Sequence, residues 1–171
     1  VQTAVSRVVK IATELRLSSN IIHGGGAFTD TGLVPPKAEL ETTYTIVLKV
    51  ANSTNDLSAV EVNTSLPIYV KWLNQVSPEG ENIKYNPTGG GVVWSVGDVK
   101  AGVTKEVSFQ VSFTPSINQV GKTPDLMNEI SAGGYDGFSG QNIRAIFGDI
   151  NSDISLQGDT TYQGRGGPVA R

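Results

Sequence analysis

The chain has 171 residues, of which 38% are hydrophobic and 17% are charged, and its formal net charge is −3. This length allows one domain with its own core, and the composition is that of a globular protein. The acidic balance and the scattered basic residues exclude the basic surface of a nucleic-acid-binding protein, and no apolar run approaches the roughly 18 residues that a membrane-spanning helix needs.

The composition also excludes most thiol and metal chemistry. The chain has no cysteine and a single histidine, His23, so disulfides, thiol nucleophiles and most zinc sites are ruled out. We therefore expect no cofactor. The 20 glycines, together with many serine, threonine and asparagine residues, are typical of extracellular β-structure.

The first predicted element is a long strand near the start of the chain. From Val5 to Ile21 the odd positions are mostly apolar, whereas the even positions include several charged residues. A two-residue period is typical of a strand, and this strand is about twice the usual length; a helix over residues 4–17 is the competing interpretation. We assign residues 1–20 as an N-terminal strand or extension. Its apolar face is the predicted assembly strand, with residues Val5, Val9, Ile11, Thr13, Leu15 and Leu17.

The next stretch, HGGG at residues 23–26, resembles the oxyanion turn of some lipases and esterases. Such an enzyme also needs a G-x-S-x-G nucleophile elbow and a separate catalytic histidine. The nearest elbow candidates, around Ser95 and Ser139, each depart from that pattern, and His23 cannot fill both roles. We therefore interpret the stretch as a flexible turn and predict that the protein is not an enzyme.

Several shorter alternating strands follow this turn and predict an Ig-like antiparallel β-sandwich over residues 21–157. Trp72 and Trp94 are interpreted as core aromatics, and residues 158–171 as a glycine-rich tail that frays. The predicted strands cover residues 43–50, 60–66, 70–72, 83–96 as a hairpin, 107–113, 126–131 and 143–147.

Two further patterns leave a metal site and a crosslink open as alternatives. Asp149, Asn151 and Asp153 imitate the start of a calcium loop, but the glycine and glutamate that complete the pattern are missing. We interpret them as a loop whose side chains cap backbone N–H groups. Lys49 and Asn128 could form an intramolecular isopeptide crosslink if an acidic side chain lay between them.

Three blocks of the sequence resemble a known family. They are GLVPPKAELETTYTIVLKVANSTNDLSAVEV, LPIYVKWLNQVSPEGENIKYNPTGGGVVWSVGDV and KEVSFQVSFTPSINQVGKTPDL. They resemble the Ig-like, conserved-repeat-type extracellular domain of predicted surface proteins from uncultured ultra-small bacteria, over nearly the whole chain. The resemblance implies a secreted or cell-surface β-sandwich, and the family has no defined catalytic site to carry over.

Taken together, these patterns predict a non-enzymatic, extracellular structural subunit of a bacterial surface filament or surface assembly. Its partner is the protein itself, and it polymerises by exchange of a terminal strand. The alternative is an adhesin-type module that binds a carbohydrate or a host protein; exposure of Tyr69, Trp72 or Tyr135 on one rim would favour it. Neither function involves nucleic acid or membrane insertion.

Overall fold

The computed structural model of the chain describes residues 5–156 and 165–171. Within them the regular structure is almost entirely strand, apart from two three-residue 3₁₀ turns at Ile117–Gln119 and Ile154–Leu156. The strands are β1 Leu15–Ile22, β2 Thr42–Asn52, β3 Leu57–Ser65, β4 Val70–Ser77, β5 Ile83–Asn86, β6 Gly91–Val99, β7 Thr104–Phe113, β8 Asp125–Met127, β9 Ile130–Asp136, β10 Gln141–Phe147 and β11 Ile150–Asn151. No helix in this part of the chain is long and apolar enough to cross a membrane.

The strands form two antiparallel sheets that pack face to face. The first has the order β1-β2-β7-β4 and the second the order β10-β9-β3-β6-β5, while β8 and β11 form a short additional pair. The all-β, Ig-like sandwich predicted from the alternating pattern is confirmed.

The core lies between the two sheets and is built from every second residue of the central strands. Successive side chains of a strand point to opposite faces, so one apolar set from each sheet meets in the middle. The buried set from β2, β7, β3 and β6 includes Tyr44, Ile46, Leu48, Val107, Phe109, Val111, Val60, Val62, Val92 and Trp94. The core interpretation of Trp94 is confirmed, and Trp72 is half-buried against Phe109.

A polar loop covers the outer face of the four-stranded sheet. The carboxylate of Asp30 accepts hydrogen bonds from the Thr45 hydroxyl at 2.8 Å and from the Gln110 amide at 2.8 Å. The backbone N–H of Thr31 donates to the Thr43 hydroxyl at 2.6 Å. These bonds explain why the threonines on this outer face are buried although they point away from the core.

The predicted strand from Val5 is wrong over its first ten residues, because β1 begins only at Leu15. The competing helix is also absent from the described part of that stretch. The physical reason is the length of the neighbouring strand: Leu15 pairs with Asn52, and β2 ends at that residue. Residues before Leu15 therefore have no strand of their own chain to pair with.

The C-terminal segment is docked, where a frayed tail was expected. Val169 is only 2% exposed. Its backbone N–H donates to Lys122 and its carbonyl accepts from Gly121, while Ala170 exchanges hydrogen bonds with residues 36 and 38. A buried valine and backbone bonds on both sides hold this segment. Residues 158–164 of the predicted tail lie outside the described residues.

Candidate assembly site

An extended apolar segment projects from the sandwich at its N-terminal side. We call residues 5–12 the N-terminal extension; they have no regular secondary structure. Its four large apolar side chains are 80, 88, 83 and 76% exposed and belong to Val5, Val8, Val9 and Ile11. Apolar side chains exposed in this density are typical of a surface that a partner covers.

The root of the extension is fixed at Thr13. Its backbone N–H donates to Asp136 at 2.9 Å, its hydroxyl donates to Asn52 at 2.7 Å, and the N–H of Thr54 donates to that hydroxyl at 2.9 Å. Immediately before it, the carbonyl of Ile11 accepts from the side-chain amide of Asn55 at 2.9 Å. The extension therefore leaves the sandwich from a defined point.

The carboxylate of Asp136 is the centre of this anchor. The residue has no exposed surface. One oxygen accepts from Thr13 and from the Asn55 amide, and the other accepts from the backbone N–H groups of Phe138 and Ser139. Burial raises the pKa of Asp136, but the hydrogen bonds from Asn55, Thr13 and Ser139 outweigh it and hold the pKa well below its usual value.

The structure divides the predicted assembly strand into two groups. Val5, Val9 and Ile11 lie on the exposed extension. The other three residues belong to the anchor and to β1: Thr13 and Leu15 are buried, and Leu17 packs against the core. A segment donated to another subunit would thus be residues 5–12, and its role in assembly stays a prediction. The sequence reasoning missed Val8, because it sits at an even position outside the alternating pattern.

Two sides of the sandwich present strand edges, and one of them is protected. On that side, β4 breaks register between Trp72 and Val76. The Trp72 ring also stacks on Tyr85 of β5, with the centroids 5.5 Å apart and the planes at 9°. Irregular strands and covered edges are features that discourage pairing with another chain.

On the other side, both edge strands are without a further strand partner among residues 5–156 and 165–171. The strands β1 and β10 keep continuous register with β2 and β9, and each is the last strand of its sheet. Between these two edges lies a groove of about 700 Å³, which we call the β1/β10 seam. Its lining includes Leu15, Leu17, Ala51, Thr104, Ala145 and Ile146. The side chain of Ile146 is 68% exposed, so the seam offers both a regular edge and apolar surface.

The HGGG stretch has a packing role. His23 is buried, its Nδ1 lies 2.8 Å from the carbonyl oxygen of Thr43, and its ring meets Tyr44 edge-on. A Cβ added at Gly26 would lie 2.6 Å from Cδ1 of Ile22. The loop therefore packs closely against the Ile22 side chain, which would have to shift to admit a larger residue.

The calcium-like loop has its side chains occupied by backbone groups. The Asn151 side chain accepts from the N–H of Asp153, and the Asp153 carboxylate accepts from the N–H of Ser155, each at 3.0 Å. Across residues 5–156 and 165–171, no three histidine, aspartate or glutamate side chains are grouped so that they could hold a metal ion. Asp149 does not join Asp153 in such a group.

The two residues considered for a crosslink have different partners. The Nζ of Lys49 lies 2.8 Å from Glu106 in a half-exposed ion pair. The side-chain amide of Asn128 donates to the hydroxyl of Ser65 at 2.8 Å. A crosslink between Lys49 and Asn128 stays a prediction.

The aromatic residues considered for ligand binding do not share a rim. Tyr69 tilts against Phe113, and Trp72 stacks on Tyr85. Tyr135 is 45% exposed in β9, on the other sheet.

Solved structures share this fold, although no family model and no curated protein matches the chain. The full-length major pilin SpaD from Corynebacterium diphtheriae is similar with a TM-score of 0.54 at 15% identity, over 81% of this chain and 34% of that one. A variant of BcpA, the major pilin subunit of Bacillus cereus, has a TM-score of 0.52 at 14% identity, over 81% of this chain and 40% of that one. The chain thus spans about a third to two fifths of the length of these pilins, and at this identity the similarity concerns the fold alone.

Proposed function

We propose that this chain is a non-enzymatic structural subunit of a bacterial surface filament, in which the N-terminal extension of one subunit adds as a strand along the β1/β10 seam of the next. The observation that carries the proposal is the extension itself: four exposed apolar side chains on a segment whose root is fixed by Thr13 and Asp136. The similarity in fold to two major pilins and the resemblance to surface-protein domains support a place outside the cell.

The dimensions of the two elements agree. The extension has eight residues, and an extended strand of that length covers about 26 Å. The strand β1 also has eight residues. Pairing along an open edge supplies backbone hydrogen bonds, and burying each valine or isoleucine contributes roughly 1.5–3 kcal/mol.

The root of the extension lies at one end of the sandwich. The root contacts Asn52 at the end of β2, whereas the docked C-terminal segment lies beside residues 36–38, just before β2 begins. The extension therefore leaves from one end of the sandwich. A contact between two different surfaces, extension and seam, is heterologous, and it gives an open chain when the rotation does not close a ring.

Removal of the extension tests this function. We expect the full chain to form assemblies that grow with protein concentration, and a variant lacking residues 1–12 to stay monomeric with an unchanged β-sheet circular dichroism spectrum. Size-exclusion chromatography with light scattering distinguishes the two. Val9→Asp with Ile11→Asp should also abolish assembly, whereas the matched control Arg7→Gln with Lys10→Gln should not. Assemblies that persist without residues 1–12, or a full chain that is monomeric at every concentration, would refute the proposal.

A further inference from the structure

A second surface lies on the outer face of the five-stranded sheet and shares Arg144 with the β1/β10 seam. There β3, β9 and β10 form an open groove of about 490 Å³, which we call the glycine groove. Its floor is the middle of β9. The groove is lined by several residues, among them Glu61, Asn63, Gly133, Tyr135, Asn142 and Arg144.

The fold does not require the glycine at the floor of this groove. Gly133 is not among the glycines with positive φ, and a Cβ added there would meet only the carbonyl oxygen of Ile143 at 3.7 Å, an ordinary contact. Its neighbour Gly134 differs, because a Cβ there would lie 2.8 Å from Cγ2 of Val60. Glycine inside a strand costs roughly 0.5–1 kcal/mol relative to alanine. A strand glycine marks a β-bulge or a site that a ligand approaches closely. The strand β3 shifts register between Ser58 and Glu61, opposite Tyr135 and Gly133, and the missing side chain of Gly133 leaves the floor of the groove free for a ligand.

Opposite charges form the two walls of the groove. Glu61 and Arg144 are both Cα partners of Gly133, one on each side. Directly paired residues point to the same face of a sheet, so Glu61 and Arg144 lie on the same face. Their strands are two strand spacings apart, on the order of 10 Å. Neither takes part in any of the ion pairs of the described chain. Both charges are therefore available to a ligand lying between them.

The remaining groups are an aromatic ring and two amides. Tyr135 pairs with Asn142 at one end of the groove, and its ring is partly exposed. The amide of Asn63 donates to Oε1 of Glu61 at 2.9 Å, which orients the carboxylate. A sugar ring has apolar C–H groups on its faces and hydroxyl groups around its edge. The Tyr135 ring can pack against such a face, and the carboxylate and amide groups of the groove can hydrogen-bond to the hydroxyls.

We infer that the glycine groove binds an oligosaccharide that carries a carboxylate. The sugar ring lies over Gly133 against the Tyr135 face. Its hydroxyls hydrogen-bond to Glu61, Asn63 and Asn142, and its carboxylate pairs with the Arg144 guanidinium, a geometry that favours two parallel hydrogen bonds.

The test uses immobilised oligosaccharides, both carboxylated and with the carboxylate reduced to the alcohol. We expect the full chain to bind carboxylated sugars, and Gly133→Val to lose at least about tenfold in affinity because the valine fills the groove. The matched control is Gly91→Val, since Gly91 also lies in a strand with nothing within 4 Å of an added Cβ but outside the groove. Arg144→Gln should remove the preference for the carboxylated sugar, and Tyr135→Ala should weaken both forms.

Two outcomes would overturn the inference: no binding of the full chain to any of these sugars, or equal binding by Gly133→Val and Gly91→Val. Self-association that is lost in Gly133→Val, without sugar binding, would identify a second copy as the occupant and would also overturn it. The variant lacking residues 1–12, which cannot form the proposed filament, should still bind sugars, and its binding separates this inference from the proposed function.

Discussion

At the scale of single residues, Asp136 connects three parts of the chain. It accepts from Thr13 at the root of the extension, from Asn55 in the turn after β2, and from the N–H groups that begin its own hairpin turn to β10. Since four donors converge on one carboxylate, the ionised form is the form that the folded protein stabilises. The ionised carboxylate of Asp136 is therefore one of the groups that hold the root of the extension, beside Asn52, Thr54 and Asn55.

We expect the stability of the protein to fall at acid pH through this residue. The pKa of Asp136 is lowered in the folded state, whereas an unfolded aspartate titrates near about 3.9. Its stabilisation is therefore complete above the unfolded pKa and is lost as the pH falls from there through the folded pKa, because the unfolded chain then binds more protons. Urea denaturation at a series of pH values from neutral to acid measures this.

The variant Asp136→Asn is the control. At neutral pH it should have a lower midpoint of urea denaturation than the wild type, and limited proteolysis should cut faster near Thr13. As the pH falls below the unfolded pKa, the difference between the two proteins should shrink. A difference that stays constant across this range would show that the charge of Asp136 does not hold the anchor.

At the scale of strands, the sequence predicts which face a residue occupies better than it predicts where pairing stops. The alternation in β2, β3, β6 and β7 places Tyr44, Val62, Trp94 and Phe109 correctly in the core, because burial on one side imposes a period of two. The same alternation continues back to Val5, yet pairing stops at Leu15 because β2 ends opposite it. The residues of one strand do not determine where the neighbouring strand ends.

The parts of the candidate sites that sequence could not predict are those made by distant pairing. The groove requires Glu61, Gly133 and Arg144 in one row across three strands, and the anchor requires Thr13 beside Asp136, 123 positions away. The docked tail is similar: Val169 lies in a glycine-rich stretch, and only its contacts show that it is buried. In contrast, the exposed apolar residues of the extension were identifiable from the pattern, apart from Val8.

The docked C-terminal segment gives a prediction at this scale. Val169→Ala should destabilise the protein by about 1–3 kcal/mol, because it removes two buried carbon atoms and leaves a cavity. The control is Val103→Ala, whose side chain is 38% exposed and should change the stability by less than about 0.5 kcal/mol. Chemical denaturation measures both. Equal effects of the two substitutions would mean that the segment is not packed at Val169.

At the scale of the whole molecule, the two sides of the sandwich have opposite properties. The β4/β5 side combines a register break with the Trp72–Tyr85 stack. The β1/β10 side keeps regular edges around a groove lined by both apolar and charged residues. In the proposed function, the N-terminal extension is the donor and the β1/β10 seam is the acceptor. This asymmetry is what a head-to-tail polymer requires, and it specifies which surfaces should meet.

Engineered cysteines test the proposed contact between the extension and the seam, since the chain has no cysteine of its own. Val9→Cys in one preparation and Ile146→Cys in another should form a disulfide-linked dimer on mixing under mild oxidation, because the extension is expected to lie along the seam. The control pairs Val9→Cys with Ile68→Cys, whose residue is fully exposed just before β4, and should crosslink only at the background level. Non-reducing electrophoresis reads the result. If deletion of residues 1–12 abolishes assembly but both pairs crosslink equally, the extension docks elsewhere and the seam is the wrong acceptor, although the extension remains the donor.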